Sequence, residues 1–295
     1  MRVTDRMMFE NAAANAAKSR DRAQTAMEQL STGMRVVHPG DDPTVAASMV
    51  RGQQTIDRMA AITQNAARAG DEVDASDSAL QSLTDVLARA RELTVQMGND
   101  SYSAADRAGA ATEVDGLVQQ AVTLMNANVN GRYIFGGNKD QTAPFDTAGN
   151  YSGDTAVRQV EVAPGVLEDS SVRADVAVKG VGGGVDLFAT LQSLSTALKT
   201  NNGAAVRGSL TDLTTATTQV TTTLSRVGAM GDAFATAQTL AKSTADATTK
   251  NVANQSEADV IESSSQLALA NSALNATLTA AAQSFSLSLV NKLGG

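Results

Sequence analysis

The residues best placed to do chemistry together are His38, Asp41 and Asp42, the chain's only imidazole and two carboxylates in one short segment. An imidazole beside carboxylates can move a proton or hold a divalent cation. Here, however, they stand in the run His38-Pro39-Gly40-Asp41-Asp42-Pro43. Asp42 is a natural helix N-cap and Pro43 a natural first helical residue, so a turn and a cap explain the carboxylates better than a site does. The glycines at 180 and 182–184 suggest a phosphate cradle, yet no Gly-Lys-Ser/Thr follows and position 185 is Val, which leaves GxGxxG unmet. That stretch reads as a flexible link. Serines are plentiful, but none lies in a G-x-S-x-G elbow and His38 is the one possible base. The residues therefore nominate no catalytic, cofactor-binding or metal-binding group, and the chain is expected not to be an enzyme.

Composition agrees. In 295 residues there are six Phe, three Tyr, no Trp and four Pro. A thick enzyme core needs more rings than that, whereas a two-helix seam is filled by small and medium side chains at every third or fourth position. A formal net charge of −8 argues against nucleic acid, whose phosphates require clustered Lys and Arg. Cysteine is absent, which removes disulfides, thiolate nucleophiles and Cys-based zinc sites. The first ten residues lack the apolar core of a signal peptide, and no run reaches the roughly 18 apolar residues of a membrane span. Neither Sec-type export nor membrane insertion is predicted; cytoplasmic residence and export by another route both stay open.

The elements that carry these residues follow from periodicity. Residues 5 to about 34 form a helix with Phe9, Ala16, Ala23 and Leu30 at sevenfold spacing, broken at Thr32-Gly33 and again at 38–43. From Met59 the positions Ile62, Ala66, Ala69, Val73, Ser76, Leu80, Leu83, Leu87, Ala90, Thr94 and Met97 step by three and four without a fault. This is a coiled-coil seam roughly 57 Å long at the helical rise. A stop is predicted near Gly98-Asn99-Asp100, then a second helix through Ala110, Val114, Leu117, Ala121 and Leu124 that packs back on the first.

At Asn130-Gly131 the texture changes. Tyr133, Phe135, Phe145 and Tyr151 cluster, and Val160-Glu161-Val162 and then Val172, Ala174, Val176 and Val178 alternate with period two. Residues 139–185 are thus expected to be a small β-rich insert with its own core, closed by the link Val181-Gly182-Gly183-Gly184. Helical spacing returns at Leu187, Leu191, Leu194 and Leu198, turns at Asn201-Asn202-Gly203, and continues through Val206, Leu210, Leu213, Thr217, Val220, Leu224 and Val227. A kink or break is expected at Gly228–Gly231. The last helix carries Val260, Leu267, Leu274 and Ala281 at sevenfold spacing, with Leu278, Phe285, Leu289 and Leu293 on its face.

The fold class is therefore mainly α, with long antiparallel coiled-coil helices from both termini and a small β-rich insert in the middle. Three domains are expected: 1–42 with 254–295, a terminal helical assembly domain; 43–138 with 186–253, a coiled-coil rod; and 139–185, the β-rich outer part. The terminal helices bury too little apolar surface alone to offset their ordering entropy, so an intermolecular role stands level with an intramolecular one. Charges such as Arg89, Arg91 and Glu92 read as solvated flanks.

Specific residues carry a family resemblance. Glu28 to Val37, then Asp41-Asp42-Pro43, then Arg89-Ala90-Arg91-Glu92-Leu93-Thr94-Val95-Gln96 resemble the N-terminal region of bacterial flagellins. The stretch from Ser256-Glu257-Ala258-Asp259 to Leu293 is similar to their C-terminal region, so the resemblance covers both ends. Filament flagellins usually show Phe-Asn-Gly leading to Leu-Leu after the second helix. This chain instead has Gly131-Arg132-Tyr133-Ile134-Phe135-Gly136 and then Pro144-Phe145, which look like the hook-filament junction family, the type 3 hook-associated proteins. The insert departs from that family in being short and without a familiar pattern beyond Phe145.

The resemblance implies a structural role: a ring of copies in the axial assembly, seated on the adjacent hook-associated junction protein and presenting a surface on which flagellin grows. It further implies extracellular residence on the flagellum, passage through the flagellar type III export channel without a cleavable signal peptide, and a cytoplasmic export chaperone near the C-terminal helix. No cofactor, nucleic acid or membrane insertion is implied. Val3, Met7, Phe9, Leu30, Leu267, Leu274, Leu278, Phe285, Leu289 and Leu293 are the residues expected to pack between helices and between subunits. Two alternatives stand beside this reading, a filament flagellin and a cytoplasmic coiled-coil signalling module.

Overall fold

A computed structural model describes the backbone of residues 2–293 and the side chains of residue 7 and residues 9–283. Along them run α1 (Arg2–Thr32), α2 (Pro43–Met97), α3 (Ala104–Met125), β1 (Asn128–Val129), β2 (Arg132–Tyr133), β3 (Gln159–Ala163), β4 (Val166–Asp169), α4 (Ala174–Val178), α5 (Leu187–Lys199), α6 (Gly203–Ser256) and α7 (Val260–Leu293). The chain is mainly α. It divides into two compact units, Met1–Asp57 with Ala245–Gly295, and Arg58–Thr244.

In the 58–244 unit the predicted seam is realised position by position: all twelve residues from Met59 to Met97 are buried. Its two polar members stay satisfied inside their own helix, Ser76 Oγ donating to the Glu72 carbonyl at 2.9 Å and Thr94 Oγ1 to that of Ala90 at 2.7 Å. α2 ends at Gly98, and α3 opens with a capping box in which Ser103 and Asp106 satisfy each other's backbone N–H. Arg107, buried in α3, then joins two turns: it donates to the carbonyls of Met97 at 2.9 Å and Asn99 at 3.0 Å, and to Asn201 Oδ1. α3 packs on α5, whose Leu187, Leu191, Leu194 and Leu198 are buried.

The structure departs from expectation at four places. α6 runs unbroken through Gly228–Gly231; Val227, Met230 and Phe234 are buried around the glycines and hold the turn helical. A Cβ on Gly231 would stand 3.7 Å from Val73 Cγ1, so this glycine lies at a close helix approach instead of a break. Next, the alternation at 172–178 is not a strand: Ala174–Val178 form α4 and bury Ala174, Ala177 and Val178, the spacing of a helix face. Nor has the middle a core of its own. Ile134, Phe135, Phe145 and Val172 belong to one continuous cluster with Leu80, Leu117, Leu191 and Val220. Finally, the glycine link is stapled: Gln219 accepts from the Val185 N–H at 3.0 Å and donates to the carbonyls of Ala177 at 3.1 Å and Val185 at 3.2 Å.

The β content consists of two hairpins. β1 and β2 pair Asn128 with Tyr133 and Val129 with Arg132 across Asn130-Gly131, whose φ angles of 52° and 82° suit a two-residue type I′ turn. β3 and β4 pair antiparallel with a bulge between Glu161 and Ala163. Between the hairpins, Phe145 stacks at 5.1 Å on Tyr151 and 5.3 Å on Phe188. Burial, reinforced by the Asp175 and Asp154 carboxylates, pushes the Tyr151 phenol up to about 12.

Candidate functional site

The unit made from the two chain ends is the candidate site, and its centre is a joint. α1 ends at Gly33, whose φ of 70° only glycine adopts freely. Its N–H returns to the Gln29 carbonyl at 2.8 Å. The chain then meets the segment that follows α6. Met34 bridges Glu257 in antiparallel fashion, the Arg35 N–H donates to the Ser256 carbonyl at 2.7 Å, and the Ala258 N–H to that of Gly33 at 2.9 Å. Arg35 adds a side-chain staple, its Nη2 lying 3.0 Å from the Gln255 carbonyl and 3.4 Å from Asp42 Oδ2. Val36 is buried beneath.

The acidic residues around His38 serve this joint. Asp41 Oδ2 accepts the N–H groups of Val37 at 3.1 Å and His38 at 2.8 Å. Asp42 Oδ1 caps α2 by accepting those of Thr44 at 3.2 Å and Val45 at 3.1 Å. Asp259 caps α7 through Ile261 at 2.8 Å and Glu262 at 3.2 Å. These backbone donors, His38 for Asp41 and Val45 for Asp42, hold both carboxyls below the ordinary range. The imidazole Nδ1 stands 3.9 Å from both Glu28 and Asp41 on the surface. Among the described residues no cluster of three or more His, Cys, Asp or Glu could hold a metal, and no helix is long and apolar enough to cross a membrane.

From the joint, α1 and α7 extend together as an antiparallel pair. The residues turned inward are Ala12, Ala16, Ser19, Ala23, Ala26 and Leu30 on α1, and Ser263, Leu267, Ala270, Leu274, Thr277 and Ala281 on α7. Of these only Ser19, Ala26, Ser263 and Ala270 are fully buried. Among the described side chains, three leucines and a row of alanines and hydroxyls make a thin seam. From Ser263 to Asn291 α7 carries no charge at all.

Large apolar side chains instead face outward. Of the residues singled out for packing, Leu30, Leu267 and Leu274 are half-buried, while Met7, Phe9 and Leu278 are exposed. Val3, Phe285, Leu289 and Leu293 lie outside the described side chains. Sequence reasoning missed further exposed members of this unit: Met27, Met34, Val50, Leu269 and above all Ile261, which is 83% exposed. Their signal was available, since Met27, Val50, Ile261 and Leu269 are large apolar residues off their helices' stripes and Met34 lies beyond the end of α1. The Gly131–Phe145 motif, by contrast, turns inward: Ile134, Phe135 and Phe145 are buried. A Cβ on Gly136 would meet the Lys139 carbonyl oxygen at 2.6 Å, and the Pro144 carbonyl accepts from the Ser152 N–H at 2.8 Å.

Residues 3–140 match the family model of the bacterial flagellin N-terminal helical region. Flagellar hook-associated protein 3 of Salmonella typhimurium is 35% identical over 162 residues, 54% of this chain and 51% of that protein. The protein of that name from Escherichia coli K12 is 32% identical over 213 residues, 68% of this chain and 67% of its own. The aligned region thus spans about half of one relative and two thirds of the other. A flagellar hook-associated protein structure from Vibrio parahaemolyticus superposes with a TM-score of 0.67 at 21% identity, covering 74% of this chain and 100% of that one. The chain belongs to the flagellar hook-associated protein 3 family, within the flagellin superfamily.

Proposed function

We propose that the chain is a structural subunit of the bacterial flagellum at the junction of hook and filament, a surface on which flagellin assembles. The observation that carries this reading is the terminal unit itself: a stitched joint leading to two long helices whose described seam is alanines, hydroxyls and three half-buried leucines, while Met7, Phe9, Met27, Ile261, Leu269 and Leu278 face outward. Such a pair gains its full burial only from neighbours. The neighbours are further copies of this chain in a ring, the adjacent hook-associated protein on one side and flagellin on the other, with an export chaperone on the C-terminal helix beforehand. The protein works outside the cell, having left by the flagellar export channel. It catalyses nothing and needs no cofactor, nucleic acid or bilayer. In this scheme residues 1–42 with 254–295 assemble, 43–138 with 186–253 form the rod, and 139–185 lie outermost.

Immunogold electron microscopy of intact cells, with an antibody against residues 139–185, tests the assignment. A single band where hook meets filament is expected. Label along the whole filament would make the chain a flagellin, and label confined to the cytoplasm would remove it from the flagellum altogether. Removing residues 286–295 is expected to prevent incorporation while the 58–244 unit stays folded; a truncated chain that still joins flagella would refute the role given to the ends.

A further inference from the structure

The β3–β4 hairpin is attached to its surroundings differently from everything near it. Its contribution to the core is two half-buried valines, Val160 and Val162, while Val166 and Leu167 are exposed. Its polar tethers to the long helices are ion pairs. On one side Arg58 of α2 meets Glu161 of β3 at 2.6 Å, and on the other Arg226 of α6 meets Asp169 of β4 at 2.7 Å. Both arginines are more than half exposed, at 53% and 65%, against carboxylates that are 34% and 24% exposed. Glu161 also accepts the Gly165 N–H at 2.8 Å, which ties the hairpin's tip to the same carboxylate that binds α2.

The base of the hairpin is another matter. Arg158, only 13% exposed, donates to Glu72 of α2 at 2.5 Å and to the Gly137 carbonyl at 3.0 Å, and lies 3.7 Å from Asp140. Arg132 of β2, its own side chain 43% exposed, completes an alternating ring of charge around the enclosed carboxylates, 2.5 Å from Asp140 and 3.7 Å from Glu72. The backbone closes here as well: the Ser170 N–H donates to the Arg158 carbonyl at 2.7 Å, and the Arg158 N–H to Ser171 Oγ at 2.9 Å. Salt distinguishes the two kinds of contact. Exposed pairs are weak and screened once the Debye length falls to about 3 Å near 1 M salt, whereas enclosed pairs are screened far less.

We infer that the β3–β4 hairpin is a hinged arm, pivoting on the enclosed Arg158 cluster and latched to α2 and α6 by the Arg58–Glu161 and Arg226–Asp169 pairs, which ionic strength opens. An open arm bares Val160 and Val162 beside Val166 and Leu167, so the latch sets how much apolar surface this part of the chain presents.

Hydrogen-deuterium exchange of the full chain at about 50 mM and about 1 M NaCl tests this. Amides of 159–169 are expected to exchange about tenfold faster or more at high salt, with the 59–97 seam and residues 132–140 unchanged. The double variant Arg58→Gln/Arg226→Gln is expected to exchange fast over 159–169 at low salt and to have lost the salt response. Arg89→Gln, which removes comparable exposed pairs with Glu113 and Glu92, is expected to behave like the parent. Salt-independent exchange of the hairpin, a double variant as protected as the parent, or loss of protection in hairpin and seam together would each overturn the inference.

Discussion

The α2 seam and the α1–α7 seam obey the same three-four spacing and are filled with different residues. One is built from Leu80, Leu83, Leu87, Val73 and Met97, all buried; the other from alanines, serines and three half-buried leucines. Burying a Leu contributes about 1.5–3 kcal/mol, and ordering each residue's backbone costs about 1–2 kcal/mol. An alanine-serine seam therefore falls short where a leucine seam, joined to α3, α5 and α6, does not. Spacing decides which residues meet. Side-chain volume decides whether the meeting is self-sufficient, and the thinly filled seam belongs to the unit that exposes Met7, Phe9, Ile261, Leu269 and Leu278.

That contrast can be broken by mutation. Phe234, fully buried against the leucine seam's cluster, should lose about 3–5 kcal/mol on Phe234→Ala, read by urea unfolding followed by far-ultraviolet circular dichroism. Leu274→Ala, at a half-buried site of the terminal pair, should cost the isolated chain under about 1 kcal/mol. Equal losses would mean that the two seams are alike after all. Acid should act on the joint. Asp41 and Asp42 have carboxyls held below their ordinary values by backbone N–H donors. Their contribution is present above about pH 3.9 and is lost as pH falls through the depressed folded values. Amides at 33–37 and 256–258 should lose protection on acidification before the α2 seam does, and Asp41→Asn/Asp42→Asn should blunt that response. The smallest effect on the isolated chain belongs to Ile261→Ser, within about 0.5 kcal/mol because the side chain has little to lose there. Its incorporation into flagella should nonetheless fall; normal incorporation would show that outward apolar residues near the joint are idle.

Much of this was legible in the residues because heptad spacing is a local signal. The seam from Met59 to Met97, the stop at Gly98 and the turn at Asn201–Gly203 all appear where the pattern puts them. What stayed hidden depends on contacts distant in sequence. The alternation at 172–178 looked like a strand because Ala177 reads as a neutral position, whereas in α4 it is the third buried residue of a helix face. Gly231 looked like part of a break because the side chain it faces, Val73, lies more than 150 residues away in the chain. At the joint, Asp42 as a cap was readable from Pro43. The stitch from Arg35 to Ser256 was not, since no short-range pattern announces a pairing between two helix breaks.

The joint also sets how the molecule answers to force. Because α1 enters it and α7 leaves it, the pair is antiparallel with the joint at its closed end, so traction that parts α1 from α7 at the open end peels the pair like a zipper and does not shear it. Over the described side chains each step then works against a thin seam of alanines, hydroxyls and three leucines. The peeling meets its first firm resistance where the Arg35 and Ala258 N–H groups grip the opposite strand. The terminal helices are thus the portion most readily drawn out into an extended thread, and the joint is where such unravelling stalls.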